Sequence, residues 1–382
     1  MRIENVQVLT SDGVFKKGAV EFGGTILKIE TSEKKGPAAG PYLIPGLVDI
    51  HTHGAVGGDH SDGSADAMRE MALFYARNGV TSFLATTLTA TEETLAGAME
   101  NVARYMRPEG GARCVGVNME GPFFSREKRG AHPAELLRLP DISMFERLYR
   151  LSGESIKIVC VAPELAGAMG FIRAASQVAR VSLAHSAAGY KTAMEAFSSG
   201  ATHVTHVFNG MNPFLHREPG IVGAALDAGA SVEFICDGHH LHPAAVRAVF
   251  SLFPRCACMI SDSLRCAGLP DGNYESAGLP VAVKNGQARL EDGSLAGSTI
   301  SLMQGIRIAV SMGIPLAAAV TAATAHSARS IGLEGRIGSL VPGAHADLVL
   351  LDSELRIQKV YIGGKEVAGI ARVRREGSTH VL

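Results

Sequence analysis

The sequence lacks most features that would mark it as secreted, membrane-spanning or nucleic-acid-binding. None of its six cysteines (Cys114, Cys160, Cys236, Cys256, Cys258 and Cys266) belongs to a Cys-x-x-Cys pair. In a chain of 382 residues they read as reduced core residues, not as a disulfide framework. No apolar run is long enough to cross a bilayer. The opening residues Met1-Arg-Ile-Glu-Asn-Val6 are polar from the start, so no signal peptide is expected and the expected location is cytoplasmic. A formal net charge of -1 supplies no global attraction to nucleic acid or to an anionic membrane. No glycine-rich phosphate loop follows an early strand, and no segment is of low complexity. What remains is 46% hydrophobic and 19% charged, the balance of a globular protein with a sizeable core. Its length fits one large domain, or one plus a smaller partner.

Both ends of the chain carry β-type texture. Val6–Leu9, Ala19–Phe22 and Ile26–Ile29 alternate with turns such as Gly23-Gly24. Ala346–Leu351 and Val360–Ile362 do the same near the C-terminus, before Gly363-Gly364. Such runs read as hairpin strands, and the expectation is a small β-sandwich domain built from residues 1–44 and 341–382. The middle, 45–340, alternates apolar runs with helical patterns. The runs are Leu47–His53, Thr81–Thr87, Cys114–Glu120, Ile156–Glu164, Arg180–Ser186, His203–Asn209, Ser231–Asp237 and Cys256–Asp262. Helical spacing appears in Ala65–Asn78, Thr91–Met106, Asp141–Leu151 and Pro243–Phe250. About eight β/α units is the number that closes a parallel barrel, so the expected fold is α/β, a (β/α)8 TIM-type barrel.

In such a barrel the chemistry lies at the C-terminal ends of the strands. Read by position, the first strand ends in His51 and His53, the third in Glu120, the fifth in His185, the sixth in His206 and the eighth in Asp262. Alternate residues of a strand project to one side, so His51 and His53 can converge. Imidazoles with one or two carboxylates suit a divalent transition metal, zinc first, with iron, manganese or cobalt as alternatives. Each residue alone has a plainer reading, as a turn residue or a satisfied core histidine; their coincidence at strand ends outweighs it. His203 and His206 share a run three residues apart and are expected to face opposite sides, with His206 at the mouth and His203 structural.

The stretch Pro45–Gly54 (PGLVDIHTHG) resembles the first-strand signature of the metal-dependent amidohydrolases. Asn118–Phe124 (NMEGPFF), His206–Met211 (HVFNGM) with His216–Gly220 (HREPG), Asp237–His240 (DGHH) and Leu295–Ser298 (LAGS) narrow the resemblance. Within that superfamily they are similar to the N-acetylglucosamine-6-phosphate deacetylase family, and the similarity runs nearly end to end. The resemblance implies a hydrolase that releases acetate from an amino-sugar phosphate by metal-activated water. It implies that Glu120, His185 and His206 hold one metal, and that His51 and His53 allow a second. It implies Asp262 as the catalytic acid/base and His132 as a contact to the sugar and its N-acetyl group that polarises the acetyl carbonyl. His240 would touch substrate, the amides around Asn209 and Gly210 would hold phosphate, and Ala131, Leu295, Ala296 and Gly297 would give backbone contacts. Arg217 would reach the phosphate of the neighbouring active site in a homodimer.

Some positions depart from that pattern. Ser261-Asp262-Ser263 stands where Thr-Asp-Ala is frequent, Ala187 where asparagine is common, and Gly210 where alanine is usual. Arg265 adds a charge near the mouth and reads as a solvent-facing loop residue before it reads as an anion contact. Three alternatives remain in view. One is the galactosamine epimer as substrate. Another is a cyclic-amide hydrolase, disfavoured because Val159–Glu164 carries no lysine. The last is a barrel without activity, disfavoured by the intact ligand set.

Overall fold

The runs expected to be barrel strands form one eight-stranded sheet in the computed structural model, which describes residues 1–32, 40–105 and 110–369. The barrel strands, first to eighth, are Leu47–Thr52, Val80–Thr86, Arg113–Met119, Ile156–Val161, Arg180–Leu183, Ala201–Val204, Ser231–Ile235 and Ala257–Ile260. All neighbours in the sheet pair in parallel. First and eighth strands are stitched just beyond the ladder: Asp262 N donates to His51 O at 2.9 Å and His53 N to Ser263 O at 2.9 Å. The first, second and eighth strands are buried along their whole length. Helices outside and side chains inside cover both faces, which is why the sequence shows continuous apolar runs there and no alternation.

The helices begin where their caps stand. Ser64 Oγ accepts from Ala67 N at the start of Ala65–Arg77, and Asp141 from Met144 N at the start of Ile142–Leu151. Glu92–Tyr105 carries Glu92 and Glu93 in its first turn, and Pro243 opens Pro243–Leu252; both placements suit a helix N-terminus. Met106, expected to close the second helix, lies outside the described residues. Among the described residues, none of the helices is long and apolar enough to cross a membrane. All six cysteines are free, and all but Cys256 are buried.

The barrel interior is a distinct apolar cluster that includes Val48, Ile50, Leu84, Ile158, Cys160, Ile235 and Ile260. Ile50 belongs to it, yet His51, the next residue, also turns inward to the site. The ladder between first and second strands shifts register between Asp49 and Thr52. Such an irregularity re-aims a side chain beside an active site, and here it lets consecutive residues share the inner face.

The β-sandwich expected of the termini is realised as one seven-stranded sheet. It takes Arg2–Leu9, Phe15–Phe22, Ile26–Thr31 and Tyr42–Pro45 from the N-terminal side and Leu348–Leu351, Ile357–Ile362 and Lys365–Glu366 from the C-terminal side. Tyr42–Pro45 is the seam, parallel to the first of these strands and antiparallel to Leu348–Leu351. Residues 370–382 of the expected C-terminal part lie outside the described residues.

A three-stranded antiparallel sheet that the sequence reading did not anticipate follows the eighth barrel strand: Gly272–Ser276, Leu279–Lys284 and Gln287–Arg289. Its second hairpin turns on Asn285-Gly286, both with positive φ (52° and 71°). Asn-Gly between short β runs is the hairpin signal that was available in the sequence.

Candidate metal centre

Five ligand-type side chains meet at the barrel's C-terminal mouth. Glu120, directly after the third strand, is the hub. Its Oε1 lies 3.1 Å from His206 Nε2 and 3.4 Å from His185 Nε2. Its Oε2 lies 3.2 Å from His53 Nε2, and His51 Nε2 stands 3.5 Å from Oε1. Two sets of three potential metal ligands result, His51/His53/Glu120 and Glu120/His185/His206, with Glu120 common to both. Asp262 Oδ1 closes against the first set, 3.1 Å from His53 Nε2 and 3.5 Å from His51 Nε2.

The backbone spends conformational energy to do this. His185, His206 and Asp262 have φ of 44°, 25° and 49°, a left-handed region that costs a non-glycine residue of order 1–3 kcal/mol. Each follows the last residue of its strand by only a residue or two, so the turn aims the side chain over the mouth. The sixth strand stops at Val204, before His206. Strand parity therefore does not relate His206 to His203, and the expectation that they face opposite sides fails. His203 also points inward, one layer down, with Nδ1 3.1 Å from Ser182 Oγ and 3.8 Å from Glu233 Oε1.

Glu233, on the seventh strand, was missed by sequence reasoning. It is fully buried, and its Oε2 lies 2.8 Å from His51 Nδ1. That contact fixes the His51 proton on Nδ1 and turns Nε2 toward Glu120, the usual support for a metal-binding imidazole. His185 is held similarly, Nδ1 to Lys128 O at 2.9 Å. A buried glutamate in the middle of a strand was the available signal, since such a group survives only when paired.

Electrostatics explains why the cluster suits a cation. Burial opposes charge on Glu120, Asp262, His51, His53 and His206. Against it, the charge of His51 and hydrogen bonds with His185 and His206 hold the Glu120 carboxyl well below the usual carboxylate range. Asp262 is held down by His53 in the same way. Burial likewise opposes a proton on His53, yet Asp262 and Glu120 push it up to about 9. Two buried carboxylates thus demand positive charge between them. Imidazole nitrogens face each other at 3.3 Å (His51–His53) and 3.1 Å (His185–His206); this nitrogen and carboxylate set fits a divalent ion of the zinc type.

A cavity of about 450 Å³ opens above the cluster. His53, Glu120, His185, His206 and Asp262 form its floor. Ala131, His132, Asn209, Gly210, His240, Leu295, Ala296 and Gly297 line it as well. His51 does not line it and lies beneath. His132 accepts from Thr89 N at its Nδ1 (3.3 Å), so the neutral ring carries its proton on Nε2, 3.6 Å from Glu120 Oε2. Burial, with the charge of His185, keeps His132 well below its usual pKa and therefore neutral. His240 Nδ1 pairs with Asp237 Oδ2 at 2.7 Å; burial opposes ionisation of Asp237, but His240 holds it at about 2. Gly210 has φ 59°, and a Cβ there would come within 2.9 Å of His185 Nδ1, which accounts for glycine where alanine was expected.

Two arginines lie outside the ligand cluster. Arg265 is half-buried, and its Nη2 pairs with Asp62 at 2.9 Å. Arg217 is exposed between the sixth strand and helix Gly220–Ala228 and does not reach this chain's cavity.

Comparison with known proteins agrees with this geometry. The amidohydrolase family profile matches residues 42–367. The chain belongs to the amidohydrolase family. It is 40% identical over 327 residues to an N-acetylgalactosamine-6-phosphate deacetylase of Escherichia coli O157:H7, covering 85% of this chain and 87% of that protein. It is 35% identical to an N-acetylglucosamine-6-phosphate deacetylase of Vibrio furnissii, covering 94% and 92%. Among solved structures, it is similar to the N-acetyl-D-glucosamine-6-phosphate deacetylase of Mycobacterium smegmatis in complex with N-acetyl-D-glucosamine-6-phosphate. The TM-score is 0.89 at 31% identity, over 97% of this chain and 99% of that one. The Thermotoga maritima N-acetylglucosamine-6-phosphate deacetylase gives 0.87 at 33% identity, over 96% and 99%.

Proposed function

We propose that this amidohydrolase deacetylates N-acetylglucosamine-6-phosphate, giving glucosamine-6-phosphate and acetate. The observation that carries the reading is the pair of triads sharing Glu120, with Asp262 against them on the floor of a sugar-sized cavity. Its support is the end-to-end likeness to a deacetylase in complex with that sugar phosphate.

Glu120, His185 and His206 would hold one divalent ion, zinc first, and His51 with His53 a second. An ion held by these residues would supply Lewis acidity, lowering the pKa of water toward neutrality and polarising the acetyl carbonyl. Asp262, ionised before reaction, accepts the proton of the attacking water and returns it to the departing nitrogen, which leaves poorly unless protonated. His132, neutral and carrying its proton on Nε2, donates to the carbonyl oxygen as charge develops on it. The amides at Asn209 and Gly210 hold the phosphate, the backbone of 295–297 contacts the sugar, and this binding energy places the amide over the floor. Arg217, exposed on its loop, is free to enter a partner's site in a homodimer. The protein would act in the cytoplasm on a free metabolite.

The experiment is a substrate panel of both epimers, with and without the 6-phosphate, read as acetate release. The 40% likeness to a galactosamine-type enzyme gives the galactosamine epimer a specific claim as second reading. A kcat/KM higher for the galactosamine ester would replace the first reading by the second. Asp262→Asn should keep its metal and lose about 10²–10⁴-fold in kcat; turnover near the unaltered level would remove Asp262 from the mechanism.

A further inference from the structure

The cavity carries its charges unevenly. Its carboxylates, Glu120 and Asp262, are buried on the floor. Among the described residues, Arg289 is the one arginine or lysine that lines it, and it is exposed at the rim. Arg289 ends the last strand of the three-stranded sheet. Among the described residues, no carboxylate pairs with it.

Its guanidinium is nevertheless held in place. Gln287 Oε1 accepts from Nε at 3.2 Å and from Nη2 at 3.0 Å, and Gly293 O accepts from Nη1 at 2.6 Å. Gln287 is itself tied to the loop after the seventh strand, Nε2 to His239 Nδ1 at 3.2 Å, beside His240. A guanidinium has five N–H donors; three are used, leaving one on each terminal nitrogen. A residue that served only the hairpin would not need a full charge oriented over a cavity by neutral acceptors. An anion with paired oxygens satisfies the two remaining donors in a fork.

We propose that Arg289 is a phosphate-binding residue of its own chain's active site, so that the three-stranded sheet carries the determinant for phosphorylated over unphosphorylated amino sugars. This rests on the deacetylase reading above. With the acetamide at the buried floor, the anionic end of the substrate remains at the rim, where Arg289 is fixed. The charge recognising phosphate is then supplied in cis, whatever Arg217 adds from a partner. Neutral partners keep Arg289 from being cancelled by a nearby acid, and pre-orientation lowers the entropy lost on binding.

The test compares the unaltered enzyme with Arg289→Ala and Arg289→Lys on phosphorylated and unphosphorylated N-acetylhexosamine. Inorganic phosphate serves as a competitive probe. A charge-assisted hydrogen-bond pair at an exposed rim leads to a rise of about 10-fold or more in KM for the phosphate ester in Arg289→Ala. The inhibition constant of phosphate should rise with it, while kcat and the unphosphorylated substrate shift far less. Lysine, keeping charge but losing the fork, should recover part of the loss. Equal losses on both substrates, or an unmoved KM for the ester, would overturn the assignment. If the unaltered enzyme releases acetate from no phosphorylated N-acetylhexosamine, the deacetylase reading falls instead.

Discussion

The two halves of the metal centre are built differently. His185 and His206 stand on left-handed turns just past their strands and line the cavity. His51 and His53 come from a strand with a register shift, and His51 is sealed beneath the floor with Glu233 behind it. The first half has its geometry set by backbone turns and by one carbonyl, Lys128 O. The second has it set by a buried carboxylate. An imidazole fixed by a turn needs little behind it; one re-aimed within a strand depends on what its other nitrogen meets.

Glu120 is the one potential metal ligand common to both halves, so Glu120→Gln should have the largest effect. It removes the shared ligand, and metal content measured by elemental analysis should fall in both sites with loss of acetate release. Retention of one full metal would mean that the halves do not share this ligand. Glu233→Met, which keeps volume but removes the acceptor for His51 Nδ1, should act mainly on one half, because its contact with the other is a single hydrogen bond from His206 N at 3.4 Å. Metal affinity at the His51/His53 site should fall about 10–100-fold, with the Glu120/His185/His206 site preserved, as read by titration in a metal buffer. Equal weakening of both would erase the distinction drawn here.

The effect that is absent at neutral pH concerns acid stability beneath the His53 half. His60 N donates to His53 O, its Nε2 lies 3.4 Å from Tyr75 Oη, and its ring stacks on Phe83. Burial, with the charge of His53, depresses His60 to about 3, below the roughly 6.5 of an unfolded histidine. The folded state therefore binds fewer protons. His60 contributes stability above about pH 6.5 that is lost as pH falls toward about 3, at about 1.4 kcal/mol per pH unit. His60→Phe should flatten the stability–pH curve of metal-stripped protein by that slope in this window. An unchanged slope in denaturant titrations would show that His60 is protonated in the folded protein.

The sequence made the ligand set legible because a barrel collects function at strand ends, so counting apolar runs also located Glu120, His185, His206 and Asp262. It could not place His203, since the parity argument assumed a strand through His206 that ends at Val204. Glu233 was hidden because a glutamate within an apolar run shows neither which face it takes nor what it meets. Arg289 was hidden because its hairpin interrupts the β/α alternation on which the reading depended.

By itself, then, the sequence determined the barrel, the β texture of both termini and the residue types available at the mouth. These follow from local periodicity and strand-end position, which are encoded one segment at a time. Tertiary structure alone decided that Glu120 stands between two histidine pairs and that Glu233 stands behind His51. It also decided that Arg289 is brought over the cavity. The two carboxylates join residues far apart in the chain, 86 positions for Glu120 and His206 and 182 for Glu233 and His51, and only closure of the sheet brings them within hydrogen-bonding distance. The pair His51 and His53 shows both contributions: the sequence supplies two imidazoles, and the shifted register with the carboxylate beneath makes them face the metal site.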